Sequence, residues 1–288
     1  MRERLLLCTD MDRTLLPNGD ATETPNIRAK FSALCHLPEV TLVYVTGRHK
    51  ALVEEAIADY RLPQPDYVIA DVGSKLYRVE MPTWHEVPEW LTEMNQAWQG
   101  YNSENIIPLL SRFDQLELQE PSKQNSHKLS YYVPLTIDQA PLLTQISSTL
   151  KQHKIQANLI WSIDEALEIG LLDILPSNAT KRHAIEHLRH RLDFTPSEIL
   201  FAGDSGNDLA VLSSSIPSVL VNNASQEVRD EASQLTAQAN NTEQLYLAQP
   251  TQNDNGNYAA GILQGIWHFH PNLRLHLQAL GVEYDPEL

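Results

Sequence analysis

The stretch LLLCTDMDRTLL, residues 5–16, joins an apolar run to two aspartates that stand one residue apart, Asp10 and Asp12. Residues 5–8 are typical of a short buried strand, because consecutive apolar side chains are followed at once by polar ones. In an open parallel sheet, ligands bind beyond the carboxyl ends of the strands. Both carboxylates therefore stand where a sheet of this kind would present them to a ligand.

Beyond this stretch, apolar strands alternate with helical segments, and the same alternation returns in the final part of the chain. The pattern predicts strands at 40–45, 67–70, 199–202 and 218–221. It predicts helices at 26–35, 51–60 and 179–191, and further helices that begin near Asn207 and at Gln226. Strands and helices that alternate in this way form parallel sheets covered by helices. We therefore predict an α/β fold whose core is a Rossmann-like, doubly wound parallel sheet.

The middle of the chain has a different pattern of apolar and polar residues. Its half-exposed strands are expected at 116–118, 127–133 and 157–161, with one helix at 137–151. Strands with few helices and one polar face are typical of an α+β unit. We therefore predict a core domain made of residues 1–80 and 171–288, with an α+β cap domain inserted at 81–170. The Gln- and Asn-rich stretch 249–257 is predicted to be an exposed loop.

The 288 residues carry a formal net charge of −16, and no cluster of Lys and Arg reverses that charge locally. A strongly acidic protein is repelled by nucleic acid and by anionic membrane surfaces. No stretch approaches the ~20 consecutive apolar residues that a membrane-spanning helix needs. The composition thus argues against nucleic acid or a membrane as a partner and favours a cytoplasmic protein.

Four groups of polar residues follow predicted strands or begin a predicted helix. They are, in chain order, DMDRT at 10–14, Thr46-Gly47-Arg48, Lys181, and GDSGND at 203–208. Each group alone is typical of a turn or a helix cap. Together they stand at strand ends that would lie side by side, where the carboxylates would repel one another unless a cation separated them.

A hard divalent cation with oxygen ligands, most plausibly Mg²⁺, would remove this repulsion. Its predicted ligands are the carboxylates of Asp10 and Asp204 and the backbone carbonyl of Asp12. Lys181, Thr46 and the backbone amides beside Asp12 would then donate to an anion at the metal, which points to phosphate.

In their residues and their order, these motifs resemble those of the haloacid dehalogenase superfamily of phosphotransferases, and the resemblance covers the whole core. It implies that Asp10 attacks phosphorus to give an aspartyl phosphate, while Asp12 protonates the departing sugar oxygen and then deprotonates water. Thr46 and Lys181 would neutralise the transferring phosphoryl oxygens. The Asp12 carboxyl, which lies off the metal, is expected to be able to hold a proton.

The inserted unit falls between the Thr46 and Lys181 motifs, and in this position it resembles the cap of the type IIB branch. Such caps close over small substrates. Several stretches further resemble the sucrose-6-phosphate phosphatases: DMDRTLL, VTGRH, IADVGSKLY, SHKLSYYV and YAAGILQGIWHF. This resemblance implies hydrolysis of a disaccharide phosphate, foremost sucrose 6-phosphate. It also suggests a sugar-phosphate synthase as a partner.

The chain departs from that family in the extended turn before the Lys motif, WSIDEALEIGLLDILPSNATK at 161–181, and in Thr180-Lys181-Arg182-His183, which replaces the more usual Asn-Lys-Gly. Because this turn and the cap would contact the sugar, a phosphatase of mannosylfructose phosphate or of another small sugar phosphate stays an alternative. A hexose phosphomutase and a catalytically inactive sugar-phosphate sensor are the two further alternatives.

Further residues are assigned provisional roles. Asn207 and Asp208 are expected to orient Asp204, Lys181 or metal-bound water. Sugars bind charged or amide groups and an aromatic face, so the candidate substrate-binding residues are Thr14, Gly47 and Arg48 in the core and Lys128, Ser130, Trp161 and Asp164 in the cap. The histidines at 183, 187 and 190 lie at helical spacing and are expected to form a surface face, because no carboxylate lies in register with them.

Overall fold

A large sheet forms the core of the computed structural model, which describes residues 4–164 and 167–279. Within those residues the sheet has eight strands in the order β12-β11-β10-β1-β2-β3-β4-β5. Six of them run parallel, and β4 and β5 are antiparallel to their neighbours. The strands are β1 (Leu5–Thr9), β2 (Val40–Val45), β3 (Tyr67–Ala70), β4 (Lys75–Glu80), β5 (Thr83–Glu86), β10 (Ile199–Gly203), β11 (Ser218–Leu220) and β12 (Leu245–Leu247).

Helices cover both faces of this sheet. On one face pack α1 (Ile27–Cys35), α2 (Lys50–Tyr60), α9 (Ala259–Phe269) and α10 (Pro271–Ala279). On the other face pack α3 (Pro88–Ala97), α6 (Lys181–Arg191), α7 (Leu209–Leu212) and α8 (Gln226–Gln238). Strand β1 lies at the centre, and its alternate residues Leu5 and Leu7 face the first helical layer while Leu6 and Cys8 face the second. The predicted doubly wound α/β fold is confirmed.

A second, smaller sheet carries its own core. Its strands follow the order β6-β7-β9-β8, and all described pairs are antiparallel. The strands are β6 (Glu117–Leu118), β7 (Leu129–Pro134), β8 (Ala157–Asp164) and β9 (Ile169–Pro176). Helices α4 (Ser103–Leu110) and α5 (Gln139–Gln152) pack on one face together with Trp98. We call this α+β unit the cap.

The limits of the insert were predicted at residues 81 and 170. The pairing of the strands in the two sheets places them at other residues. Strand β5 pairs with β4 in the large sheet, so the core continues to Glu86. Strand β9 pairs with β7 and β8, so the cap continues to Pro176. The helix that follows β5, α3, is the bridge between the units, because Trp90 and Met94 pack in the core cluster and Trp98, directly after α3, packs in the cap cluster.

The predicted exposed loop at 249–257 is wrong for its second half. Asp254, Gly256 and Asn257 are buried. Asn255 and Asn257 donate hydrogen bonds to the carbonyl of Thr22, which lies in the long loop after β1. Asn and Asp side chains that bind backbone groups fix loop conformations. This segment therefore braces the loop that begins with Asp10 and Asp12.

The turn after β3 adopts an unusual backbone conformation. Asp71, Val72 and Gly73 have φ values of 50°, 59° and 94°. At Gly73 a Cβ atom would lie 2.7 Å from the carbonyl carbon and oxygen of Thr180, directly before α6. The carbonyl of Gly73 accepts a hydrogen bond of 3.1 Å from Trp90 Nε1 in α3. Gly73 is therefore required both for its backbone conformation and for the close approach of α6.

We expect Gly73→Ala to lower the free energy of unfolding by about 3 kcal/mol, measured by chemical denaturation, because left-handed backbone strain and overpacking act together. Gly100→Ala is the matched control, since Gly100 also has a positive φ of 80° but a Cβ there would meet no atom within 4 Å. This control should lose only about 1 kcal/mol. Equal losses in the two variants would contradict a steric role for Gly73.

Candidate active site

The candidate catalytic aspartates lie where the order of the large sheet reverses. From β1 the chain proceeds outward through β2 and β3, and later returns to build β10, β11 and β12 on the other side. Asp10 follows β1 and Asp204 follows its neighbour β10, and the Asp10 amide donates to the Ala202 carbonyl over 2.9 Å. Ligands of open α/β sheets bind at such a switch point.

Three buried carboxylates converge at this point. Oxygens of Asp10, Asp204 and Asp208 all lie within 4.8 Å of one another. Burial, together with the charge of Asp208, raises the pKa of Asp10 to about 7 and that of Asp204 to about 6, although Lys181 acts against the rise. An all-oxygen donor set that disfavours its own ionisation fits a hard divalent cation, so Asp10 and Asp204 are suited to hold Mg²⁺.

Lys181 stands at the first position of α6 and points into the same cluster. Its ammonium lies 2.8 Å from Asp10 Oδ2, 2.8 Å from Asp208 Oδ1 and 3.1 Å from Asn207 Oδ1. Burial lowers the pKa of Lys181, but the two carboxylates outweigh that effect and raise it. Lys181 is therefore a permanent positive charge beside the Asp10 carboxylate.

Asp208 and Asn207 hold this arrangement from the turn after β10. Asp208 Oδ2 accepts hydrogen bonds from the amides of Asp204 and Ser205, at 3.1 and 3.3 Å. A Cβ atom on Gly203 would lie 2.6 Å from the Asp208 carboxyl carbon, so the glycine makes room for this side chain. Asn207 and Asp208 thus contact Lys181 and the Asp204 backbone, as expected of orienting residues.

Thr14 and Thr46 are both fully buried beside the carboxylates. Thr14 Oγ1 donates to Asp204 Oδ1 over 3.0 Å, which places it on the predicted metal ligand. Thr46 Oγ1 accepts from the Arg48 amide over 3.1 Å, which leaves its hydroxyl hydrogen available to donate. Gly47 stands between Thr46 and Arg48 in the turn after β2, and it is exposed.

Arg48 makes a bidentate ion pair with Asp12 that the sequence pattern did not indicate. Its Nε and Nη2 atoms lie 2.8 and 2.6 Å from the two carboxylate oxygens, and Asn18 Nδ2 donates to Asp12 Oδ1 over 2.7 Å. Burial raises the pKa of Asp12, but the hydrogen bonds from Arg48 and Asn18 outweigh it and lower the pKa below its ordinary value. Without substrate, Asp12 is therefore ionised, which differs from the expectation that it holds a proton.

Sequence reasoning also missed two asparagines that hold the catalytic loop. The amide of Arg13, whose φ is 57°, donates to Asn18 Oδ1 over 2.8 Å. The carbonyl of Arg13 accepts from Asn223 Nδ2 over 2.6 Å. Asn18 is a local turn residue of a common kind, whereas Asn223 lies 210 positions away and gives no signal that links it to Arg13.

The cap candidates divide between the two faces of the small sheet. Ser130 and Asp173 are register partners on the open face, where Ser130 Oγ donates to Asp173 Oδ1. Lys128 Nζ lies on the same side, 3.7 Å from Asp173 Oδ2 and 3.4 Å from Asp71 Oδ1 of the core. Lys128 and Ser130 are therefore placed at the boundary between cap and core.

Trp161 and Asp164 are not brought to that boundary cluster. Trp161 packs against the cap's hydrophobic cluster, because it pairs with Leu172 on the face that the cap helices cover. Asp164, at the end of β8, accepts a hydrogen bond from the Leu167 amide over 3.0 Å. These contacts favour structural roles for both residues.

The three histidines of α6 are not the plain surface face that was expected. Glu93 of α3 supplies the carboxylate that seemed to be missing, since one oxygen contacts His183 Nε2 and the other contacts His187 Nδ1 over 2.9 Å. His190 alone is exposed as predicted. This contact ties α6, and with it Lys181, to the helix that bridges core and cap.

A cluster of carboxylates that a lysine and a metal ion can hold in place is suited to phosphoryl transfer, with one carboxylate oxygen as the attacking atom. On a doubly wound sheet with an inserted cap, such a cluster defines a hydrolase of the haloacid dehalogenase type. Within the ranges that the structure describes, no helix is long and apolar enough to cross a membrane.

Comparison with known proteins specifies the family. The family model described as Sucrose-6F-phosphate phosphohydrolase matches residues 3–270. The chain therefore belongs to the sucrose-phosphatase family of phosphoric monoester hydrolases. A relative described as a putative HAD-like hydrolase, from Nitrosococcus oceani, is 46% identical over 279 residues, which are 96% of this chain and 75% of the relative.

Two further proteins are similar along nearly the whole chain. The sucrose-phosphatase of Synechocystis sp. PCC6803, solved in complex with sucrose and phosphate, has a TM-score of 0.68 and 27% identity over 93% of this chain and 98% of that one. The mannosylfructose-phosphate phosphatase of Agrobacterium fabrum is 28% identical over 281 residues, 95% of this chain and 100% of that protein. The chain spans 52% to 61% of the length of the plant sucrose-phosphatases to which it is similar here.

The three-carboxylate cluster predicts a pH-dependent response to Mg²⁺. Because the folded-state pKa values of Asp10 and Asp204 are raised, to about 7 and about 6, the metal-free protein loses stability as the pH rises from about 4 to 7. Mg²⁺ would bind the ionised carboxylates, so the increase in melting temperature on adding Mg²⁺ should be larger at pH 8 than at pH 5.5.

Asp204→Asn removes one charge and one ligand from the cluster. It should raise the melting temperature at pH 8 without Mg²⁺ and abolish most of the shift that Mg²⁺ produces. Asp59→Asn, on the exposed side of α2, is the control and should behave as the wild type does. An undiminished Mg²⁺ shift in Asp204→Asn would show that the ion binds elsewhere.

Proposed function

We propose that this chain is a Mg²⁺-dependent phosphatase that hydrolyses a disaccharide phosphate through an aspartyl phosphate, with sucrose 6-phosphate as the foremost substrate. The observation that carries the proposal is the contact of Lys181 Nζ with Asp10 Oδ2 over 2.8 Å, at the end of the strand that also positions Asp12. A nucleophilic carboxylate, its cationic partner and a second carboxyl for proton transfer are thereby assembled within one site. The family match and the likeness to sucrose-phosphatases support the substrate class.

In the first step an oxygen of Asp10 attacks phosphorus. The new bond joins that oxygen to phosphorus, and the bond between phosphorus and the sugar oxygen breaks. Asp10 is oriented for attack, because its Oδ1 accepts from the Met11 amide over 2.7 Å while Lys181 holds Oδ2. Lys181 and the Thr46 hydroxyl are placed to stabilise the phosphoryl oxygens.

Asp12 supplies the proton that the departing sugar oxygen needs. In the resting site Arg48 keeps this carboxyl ionised. An incoming phosphate adds negative charge beside it and competes for the guanidinium, and both effects raise its pKa, so that Asp12 takes up a proton from solvent before the bond to the sugar oxygen breaks. In the second step Asp12 takes a proton from water, the water oxygen attacks phosphorus, and phosphate leaves with Asp10 restored. Mg²⁺ held by Asp10 and Asp204 would supply positive charge that offsets the negative charge on the phosphoryl group.

The alternative functions differ from the proposed one in their substrate or in their reaction. Mannosylfructose phosphate is the main rival substrate, supported by the likeness to the Agrobacterium phosphatase over its full length. A hexose phosphomutase would interconvert isomers without net release of phosphate. A catalytically inactive sensor is disfavoured, because Asp10, Asp12, Lys181 and Asp204 are all present. A synthase partner and a cytoplasmic location stay predictions.

A phosphate-release screen with Mg²⁺ tests the proposal. We expect the highest kcat/KM for sucrose 6-phosphate within a panel that includes mannosylfructose phosphate, trehalose 6-phosphate and hexose phosphates. Asp10→Asn should lower kcat on the order of 10⁴-fold or more with every substrate, since it removes the nucleophile. Asp59→Asn is the control and should leave kcat unchanged.

Asp12→Asn separates proton transfer from nucleophilic attack. It should lower kcat by about 10² to 10⁴-fold with sugar phosphates, because both steps then lack their proton-transfer group. With p-nitrophenyl phosphate, whose leaving group needs no proton, only the second step should slow, so a burst of p-nitrophenol should precede slow turnover. Full activity of Asp10→Asn would refute the mechanism. Isomer interconversion without phosphate release would favour the mutase instead.

A further inference from the structure

Asp71 of the turn after β3 is a buried carboxylate at the boundary between core and cap. Its exposed fraction is 4%, and that of Lys128, its partner from the cap, is 6%. The turn is fixed to the phosphate site, because the Asp71 amide donates to the Arg48 carbonyl over 3.0 Å and the Val72 amide donates to the Thr46 carbonyl over 3.1 Å. Asp71 is therefore one hydrogen bond away from the loop that holds Asp12.

The backbone of this turn is strained in a way that serves the placement of Asp71. A left-handed conformation is rare for a β-branched residue, yet Val72 adopts it between Asp71 and Gly73. Strain of this kind persists only where the surrounding structure imposes it, and it is concentrated at functional sites. Nothing in the Thr46–Arg48 contacts requires a carboxylate at position 71, because the turn contributes only backbone amides to them.

The contacts of Asp71 and Lys128 are longer than those of a closed ion pair. Lys128 Nζ lies 3.4 Å from Asp71 Oδ1 and 3.7 Å from Asp173 Oδ2, whereas charge-assisted pairs close to about 2.7–2.9 Å. Burial raises the pKa of Asp71 although Lys128 and a hydrogen bond from Asn125 oppose the rise, so the ionised carboxylate would gain from a further donor. A carboxylate can accept at about four lone-pair sites.

A sugar hydroxyl matches this arrangement, because it can accept from an ammonium and donate to a carboxylate at the same time. Further polar groups lie around the pair: Asn125 Nδ2 donates to Ser74 Oγ over 3.2 Å, and Ser130 contacts Asp173. Burial lowers the pKa of His49, and this pKa is also changed by the charges of Asp71, Lys123 and Lys128. The boundary is thus lined by fixed donors and acceptors from both units.

We propose that Asp71 is a specificity-determining residue, which binds a hydroxyl group of the sugar from the core side while Lys128 binds it from the cap side. The proposal rests on the proposed function and names the group that the site recognises, a polyhydroxylated leaving group next to the phosphate. The pair would favour substrates that place a hydroxyl between its two charges. It also links recognition to closure, since each unit contributes one partner.

The test compares Asp71→Asn with the wild type on a sugar phosphate and on p-nitrophenyl phosphate, which has no hydroxyl to bind. Loss of a charged hydrogen-bond partner should lower kcat/KM for the best sugar phosphate by about 10- to 100-fold and change the value for p-nitrophenyl phosphate by less than about threefold. Asn tolerates the left-handed backbone, and Lys128 keeps Asp173 as a partner, so the variant is expected to fold.

Two further variants complete the test. Asp193→Asn is the matched control, because Asp193 is an exposed core aspartate with a φ of 56°, and it should leave both kcat/KM values unchanged. Lys128→Gln should show the same substrate-selective loss as Asp71→Asn. Inhibition of p-nitrophenyl phosphate hydrolysis by the free sugar should weaken in both boundary variants and not in the control.

The outcomes are distinct. Equal losses on both substrates in Asp71→Asn would mean that Asp71 orders the Thr46–Arg48 loop, and unchanged values would mean that it contacts no substrate; either result overturns the proposal and leaves the proposed function standing. A wild-type protein that hydrolyses p-nitrophenyl phosphate but no sugar phosphate overturns the proposed function, and the hydroxyl-binding role of Asp71 with it.

Discussion

The contact of the Lys181 ammonium with Asp10 and Asp208 is the interaction on which the rest of the site depends. Three buried carboxylates at one sheet edge repel one another, and burial makes their ionisation still less favourable. One fully desolvated cation, 2.8 Å from two of them, offsets much of that cost. It also lowers the pKa of Asp10 from the value that burial and Asp208 would set, which favours the ionised state that the proposed nucleophile requires. Asp204 keeps oxygens for a metal ion.

Several long-range contacts hold Lys181 at that place. Thr180 caps α6 by accepting from the His183 amide over 3.1 Å, and Gly73 lets the turn after β3 approach the start of the helix. Glu93 binds His183 and His187 from α3. The helix that carries Lys181 is therefore fixed to the bridge between core and cap. The same helix, α3, thus contacts the core cluster, the cap cluster and the helix of Lys181.

The sequence predicted those parts of the molecule that local pattern encodes. The runs that became β1, β2, β10 and β11 are mostly apolar, because both faces of the sheet are covered. The carboxylates that follow β1 and β10 lie close together at one sheet edge. Strand β5 was missed because only Trp84 of its four residues is buried. The two sheets end at other residues than the predicted limits of the cap, because the pairing of β5 and β9 depends on partners that no short window reveals.

Side-chain pairings were harder to predict than backbone elements for the same reason. Arg48 and Asp12 are 36 positions apart, and Asn223 and Arg13 are 210 apart. Either arginine could have bound substrate on motif evidence alone. The bidentate pair decides the resting state of Asp12. Because Arg48 lowers the pKa of this carboxyl, the proposed mechanism requires a second anion that competes for the guanidinium before Asp12 can donate a proton. The phosphate of a bound substrate is such an anion. In the proposed mechanism, proton donation thus depends on occupancy of the site, and occupancy in turn would depend on contacts with the sugar at the boundary of core and cap.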